Sequence, residues 1–385
     1  MYFEFKTANR ILFGAGSLQQ VDRFAAELGQ RALLITGRSS QRAAALMKLL
    51  QKINVAVSSF SVSEEPTVTV LEESLALARD DNAELVIGFG GGSAIDTAKA
   101  VAALIHNPGG VLDYLEVIGK GQPLTHQPIP MIAIPTTAGT GAEVTCNAVL
   151  KSVGHEVKVS LRSPLMFPRI AVVDPELTLS LPSSVTAATG MDALTQLIEA
   201  YVSKRSNPMT ESVCREGIMR SARSLQSACH CTDDLNARTD LALASLFSGL
   251  ALANSGLGAV HGIAAPLGGM CPAPHGAVCA KLLPYVIAAN VTSLQAKIPK
   301  SPALVKYDKV GQWLTGSPSA GTKELIQWLN ALSQDLRIPS LSDYGLGRRH
   351  IPDLVARSLK ASSMQTNPVS LTETELNDII DQSIG

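Results

Sequence analysis

In the first half of the chain, short apolar runs alternate with longer stretches of helical spacing. Arg10–Phe13 reads as a short strand, and Gly14-Ala15-Gly16 turns it into a helix ending near Leu28. Arg31–Thr36 is a buried-strand pattern bounded by Gly37-Arg38-Ser39-Ser40; a helix follows through Leu50, then a strand over Asn54–Phe60. Glu64-Glu65-Pro66 is a break, and Val68–Arg79 has helical spacing. Leu85–Phe89, Met131–Pro135 and Ile170–Asp174 complete the set of apolar strands. Strands alternating with helices predict a parallel, doubly wound α/β sheet of the Rossmann-like type. The pattern changes after Pro175-Glu176-Leu177: from Ser183 onward no β-like run appears and helical spacing dominates. The expected organisation is an α/β domain over 1–180 and an all-α domain over 181–385.

The junction of the fourth strand and its helix carries Gly90-Gly91-Gly92-Ser93-Ala94-Ile95-Asp96. Three glycines remove every Cβ from a turn, so phosphates can approach backbone N–H groups at a helix start. Ser93 suits an N-cap, and Asp96 three residues on would complete a capping box. The pattern departs from G-x-G-x-x-G, because Ser93 stands where the last glycine belongs. In open parallel sheets ligands bind beyond the carboxyl ends of the strands. Both this turn and the loop Thr136–Gly141 are expected there.

A length of 385 residues favours two domains over a single core. The net charge of −1 and the lack of a basic block argue against nucleic acid as a partner. No uninterrupted apolar run approaches the ~20 residues of a bilayer span. Met1–Lys6 lacks the layout of a signal peptide. The six cysteines contain no C-x-x-C pair, and Cys229-His230-Cys231 stands alone as a metal motif. Together these features suggest a cytoplasmic protein.

Asp192 and Gln196 are four residues apart in an otherwise apolar helical stretch and therefore share a face. A carboxylate on an inward face is costly unless it is paired or metal-bound. His261 and His275 both lie in Gly/Pro-rich surroundings. Asp192, His261 and His275 would make a two-His, one-carboxylate metal set, with Gln196 as a weak oxygen donor. Hydrogen-bonded core histidines and a capping or ion-paired Asp account for the same pattern, and spacing does not separate the two readings.

Several segments together resemble the iron-containing (group III) alcohol dehydrogenases: Gly90–Asp96, Ile134–Thr145 (IPTTAGTGAEVT), Asp174–Thr178, Asp192–Thr195 and both histidine segments. The likeness runs in order from Phe13 to about Asn290. It implies an enzyme that moves hydride between NAD or NADP and a small alcohol, aldehyde or ketone. A divalent metal, Fe²⁺ or Zn²⁺, would act as Lewis acid, and the protein would be a homodimer or larger homo-oligomer. By position, Gly90, Gly91, Gly92, Ser93 and Asp96 belong to the pyrophosphate turn. Thr136, Thr137, Thr145, Asn147 and Lys158 line the cofactor site, and Asp192, Gln196, His261 and His275 hold the metal. Asp192 and His261 are the catalytic pair.

Three positions depart from the family pattern. Gln196 replaces a ligand histidine and is a poorer donor, so metal affinity should fall. Ala265 replaces a second histidine used in proton relay. Gly37, followed by Arg38 and Ser39, stands where many members carry an acidic residue that binds the adenosine ribose; its loss should admit NADP. Maleylacetate reductases, relatives thought to work without metal, make a metal-independent oxo-acid reductase an alternative, with Arg162 as a carboxylate partner. A related lyase or glycerol dehydrogenase fits the motifs less well. A nucleotide-binding protein without activity is a further alternative.

Overall fold

The computed structural model describes residues 2–155 and 157–384. They form two compact units: one of residues 7–137 and 141–178, the other of residues 2–6, 138–140 and 179–384. Residues 2–6 thus belong to the helical unit, where the Lys6 N–H donates to Asn254 Oδ1 at 2.6 Å.

The first unit runs β1 (Arg10–Phe13), α1 (Asp22–Leu28), β2 (Arg31–Gly37), α2 (Ala44–Lys52), β3 (Ala56–Val62), α3 (Val68–Asp80), β4 (Leu85–Gly90) and α4 (Gly92–Leu104). It continues with α5 (Val111–Tyr114), β5 (Met131–Pro135), β6 (Asn147–Ser152), β7 (Val157–Arg162) and β8 (Ile170–Val173). Six strands make a sheet in the order β1-β8-β5-β4-β2-β3, every pair parallel. Because side chains alternate across a strand, each central strand serves both faces. Ala32, Leu34, Ile87 and Ile132 join a core with Leu46 and Leu50 of α2, while Leu33, Ile35, Val86 and Ala133 join Leu75 of α3 and Val101 of α4 on the other face. Full burial of one such Leu or Ile contributes ~1.5–3 kcal/mol. The near-continuous apolar runs follow from burial on both faces.

Two local features differ from the sequence expectation. The third strand starts at Ala56 rather than Asn54, because Asn54 adopts the left-handed conformation (φ 57°) in the turn after α2. The hairpin β6–β7, antiparallel with Asn147 opposite Arg162, was not foreseen. Its alternating half-buried pattern, with Ala148 and Leu150 inward and Val149 and Lys151 partly exposed, is shorter and more polar than the sheet strands.

The second unit contains α6 (Ser183–Val202), α7 (Pro208–His230), α8 (Leu235–Ser255), α9 (Ala259–Met270), α10 (His275–Lys297), α11 (Pro302–Thr315), α12 (Thr322–Asp335), α13 (Ile351–Ser358) and α14 (Glu373–Ser383). These helices share one core in which Leu194, Leu197, Ile263 and Leu283 are almost inaccessible. Helix α10 is long and apolar enough to cross a membrane, but 67% of its most apolar window is buried inside the protein. It is a core helix. The 3₁₀ turn Pro175–Thr178 closes the sheet edge: Asp174 accepts the N–H groups of Gly16, Leu18 and Glu176 at 3.0–3.1 Å, tying β8 to the turn after β1.

Candidate active site

The carboxyl end of the sheet gathers the glycine turn and two flanking strand ends. β4 and β2 are neighbours in the sheet but not in the chain, so the glycine turn lies at the topological switch. A Cβ on Gly90 would stand 2.7 Å from the Ala94 Cβ and 3.1 Å from the Gly37 nitrogen, so no larger residue fits. A Cβ on Gly91 would meet the Thr137 hydroxyl at 3.3 Å, and the Thr136 N–H donates to the Gly90 carbonyl at 2.8 Å. Gly37, Gly90, Gly91 and Thr137 are therefore adjacent, with Gly92 and Ser93 in the first turn of α4. The expected capping box is not made. Gly91 itself is the N-cap, in extended conformation and without a side-chain cap bond, and Ser93 lies inside the helix. Asp96 turns away to accept the Val149 N–H at 3.0 Å and to pair with Lys99 at 3.2 Å. The first N–H groups of α4 are thus left without a capping side chain, as an anion site requires.

Lys99, overlooked in the sequence, is fully buried. Its ammonium donates to the Thr145 hydroxyl at 2.8 Å and to the Asn147 carbonyl at 2.5 Å, so it anchors two of the expected cofactor-lining residues to α4. Lys158 lies on β7, opposite Lys151, and its ammonium pairs with Glu65. Arg162 pairs with Glu116 at 3.4 Å. Glu143, in the 3₁₀ turn Ala142–Val144, is buried; that burial pushes its carboxyl up to about 7, against the opposing pull of its own backbone N–H and of Lys99.

The helical unit brings its donors together from three helices. On α6, Asp192, Gln196 and Glu199 fall on one face, and all three are buried. His261 is in the first turn of α9 and His275 opens α10. Close approach of α10 to α6 depends on Gly276: a Cβ there would stand 1.9 Å from the Ala188 carbonyl oxygen. Asp192 Oδ1 lies 3.3 Å from His261 Nε2 and 3.7 Å from His275 Nε2. Gln196 Nε2 donates to the other carboxylate oxygen, Oδ2, at 3.2 Å, while Gln196 Oε1 has no hydrogen-bond partner.

Two further residues complete the cluster, and the sequence reading gave neither a role. Glu199 accepts the Val260 N–H at 2.7 Å through one oxygen and holds His261 Nδ1 at 2.5 Å through the other. It therefore caps α9 and orients the imidazole with Nε2 toward Asp192. Cys279, one turn after His275, places its sulfur 3.7 Å from His275 Nε2 and 3.8 Å from His261 Nε2. Donor atoms of Asp192, His261, His275 and Cys279 all lie within 4.8 Å of one another. The i, i+4 spacing of His275 and Cys279 was the signal available in the sequence. Burial opposes charge on the imidazoles, but the facing Cys279 and acidic groups (Glu199 and Asp192 for His261, Asp192 for His275) raise both above the usual histidine range. In return the imidazoles hold Asp192 and the Cys279 thiol below their usual ranges, despite burial. Such a set of close-lying O, N and S donors suits a divalent cation, which competes with protons for their lone pairs.

An α/β unit with a phosphate-type glycine turn and a helical unit with a buried Asp/His/His/Cys cluster are features of a nucleotide-dependent oxidoreductase. The family model described as iron-containing alcohol dehydrogenase matches residues 8–175, and the C-terminal model of the Fe-containing alcohol dehydrogenase family matches residues 186–384. A 1,3-propanediol dehydrogenase of Klebsiella pneumoniae is 33% identical over 390 residues, covering 99% of this chain and 98% of the relative. The crystal structure of a 1,3-propanediol oxidoreductase superposes with a TM-score of 0.91 at 31% identity, covering 100% of both chains. That of a sulfoacetaldehyde reductase from Bifidobacterium kashiwanohense in complex with NAD⁺ gives 0.87 at 28% identity, covering 100% of this chain and 99% of that one. The chain belongs to the iron-containing alcohol dehydrogenase family and is an oxidoreductase of that type.

Proposed function

We propose that this protein interconverts a small alcohol and its aldehyde or ketone, with a nicotinamide cofactor as hydride partner and a divalent metal, Fe²⁺ or Zn²⁺, held at Asp192, His261 and His275. The observation that carries this reading is the convergence of those three side chains, from α6, α9 and α10, with His261 fixed by Glu199. When bound, the metal supplies Lewis acidity toward the substrate oxygen. Each unit has its own task. In the α/β unit, Gly90–Ser93 present backbone N–H groups to the cofactor pyrophosphate, and Thr136, Thr137, Thr145 and Asn147 shape its surroundings. Lys158 is the remaining member of that set, and its ion pair with Glu65 supports a lesser, positioning part. In the helical unit, Glu199 keeps a proton on His261 Nδ1, so that Nε2 presents its lone pair. Ala265 cannot relay a proton, so that task falls to solvent, a cofactor hydroxyl or another side chain.

Gly37 ends β2 with open space around its Cβ position, and the exposed Arg38 follows. A missing carboxylate with an adjacent cation supports use of NADP(H) at least as well as NAD(H). The expected ratio of kcat/KM for NADPH to that for NADH is one or greater; a strong NADH preference overturns this part. A homo-oligomer in the cytoplasm is the setting proposed, and Cys214, Cys229, Cys231 and Cys279 are all thiols, as a reducing compartment requires.

Metal analysis after anaerobic purification with Fe²⁺ and Zn²⁺ present tests the reading. About one metal per chain, lost in Asp192→Ala, is expected for a single site. Metal-free protein that reduces an oxo-acid at full rate would replace it with the metal-independent reductase. Cofactor binding without turnover of any alcohol, aldehyde or oxo-acid would leave only nucleotide binding.

A further inference from the structure

We propose that Cys279, and not Gln196, supplies the fourth protein ligand of this centre, making it a thiolate-containing site in which Gln196 only positions Asp192. The inference rests on the metal reading above and adds to it the identity of the fourth donor.

Geometry distinguishes the two side chains. Bonds of about 2.0–2.3 Å to O, N and S donors at tetrahedral angles give ligand–ligand edges of roughly 3.3–3.8 Å, and a substrate oxygen would add as a fifth ligand. Four edges of the Asp192/His261/His275/Cys279 set fall in that range: 3.3 and 3.7 Å from Asp192 Oδ1 to the two imidazoles, 3.8 and 3.7 Å from the Cys279 sulfur to the same two nitrogens. The donor atoms of all four residues lie within 4.8 Å of one another, so they form one cluster. Gln196 has a different task. An amide ligates through its oxygen, but here its N–H side is turned to Asp192 Oδ2. Reversing the amide would give up that hydrogen bond to Asp192 Oδ2. As placed, the amide fixes the carboxylate rotamer and leaves Oδ1 for the metal; its unpartnered Oε1 remains as an acceptor for a hydroxyl donor.

A thiolate alters the chemistry of the centre. With an imidazole in the fourth place, a divalent ion and one carboxylate would carry a net charge of +1; with a thiolate the set is neutral. The ion is then a weaker Lewis acid. Sulfur also favours Zn²⁺, Co²⁺ and Fe²⁺ over oxygen-seeking ions such as Mn²⁺ and Mg²⁺. The thiolate thus offsets the affinity lost with the missing histidine.

The test uses the full-length chain, stripped with a chelator and titrated anaerobically with Co²⁺ alone. Wild type is expected to bind about one equivalent and to develop the intense near-ultraviolet thiolate-to-cobalt charge-transfer band. Cys279→Ser should fold normally by circular dichroism, lose the band and bind at least ~10-fold more weakly. Gln196→Ala should keep the band, and Mn²⁺ in excess should not displace Co²⁺ from wild type. Wild type that binds Co²⁺ through Asp192 without the band overturns the thiolate assignment and leaves the metal reading intact. A band lost in Gln196→Ala but kept in Cys279→Ser does the same. Failure of wild type to bind Co²⁺ at all removes both.

Discussion

Replacing His261 with alanine is expected to lower kcat/KM by at least ~10³, about 4 kcal/mol of transition-state stabilisation, while cofactor affinity changes little. The effect is large because this one ring holds the cluster together. Its Nε2 faces Asp192 at 3.3 Å and Cys279 at 3.8 Å, and its Nδ1 is fixed by Glu199 at 2.5 Å. Without the imidazole, Asp192 and Glu199 are left as buried carboxylates with one partner fewer each, and a cation loses its most firmly oriented ligand. The glycine turn proposed for the cofactor lies in the other unit and is untouched. Steady-state kinetics set beside a fluorescence titration with reduced cofactor separates the two effects. Turnover equal to wild type would sink the assignment of His261, and an equal loss of cofactor binding would mean general unfolding.

Glu143→Gln is expected to stabilise the α/β unit by about 3 kcal/mol at pH 8 and by almost nothing at pH 4. Glu143 is 2% exposed, and burial raises its carboxyl from 4.5 to about 7. Between those values the folded state binds more protons than the unfolded one. Stability therefore falls as pH rises through the window, and above about 7 the whole penalty is present. Gln keeps the shape and removes the ionisation, so its advantage should appear across that same window. Denaturant midpoints of both proteins at several pH values provide the check. A difference that stays constant from pH 5 to 8 would mean that Glu143 does not titrate in the folded protein.

Much of the α/β unit was legible in the sequence for a simple reason. A sheet strand covered on both faces must be apolar almost throughout, so β2, β4, β5 and β8 announce themselves as runs. Helices between them carry one-sided spacing. The hairpin β6–β7 was not legible, since its strands are half-buried and bear Lys151 and Lys158 among their apolar positions. The capping box at Ser93 and Asp96 rests on spacing alone, and other partners decide otherwise: Lys99, one turn on in the same helix, and the Val149 N–H from β6 hold the Asp96 carboxylate.

The sequence alone determined most strands of the sheet and the helical character of the second half, the glycine turn, the membership implied by its motifs, and three of the four side chains that cluster in the helical unit. Those depend on residue type and on periodicities that hold within a single segment. Only the tertiary structure decided the partners: that Glu199 reaches from α6 to both the backbone and the imidazole of α9, that Lys99 anchors Thr145 and Asn147, and that Cys279 turns its sulfur toward two histidines. Each is set by how separate segments pack: α6 against α9, α4 against β6 and the turn before it, and the face that α10 turns toward α9. Chain spacing cannot specify that, because it fixes a side chain's face on its own helix and leaves open what the face will meet.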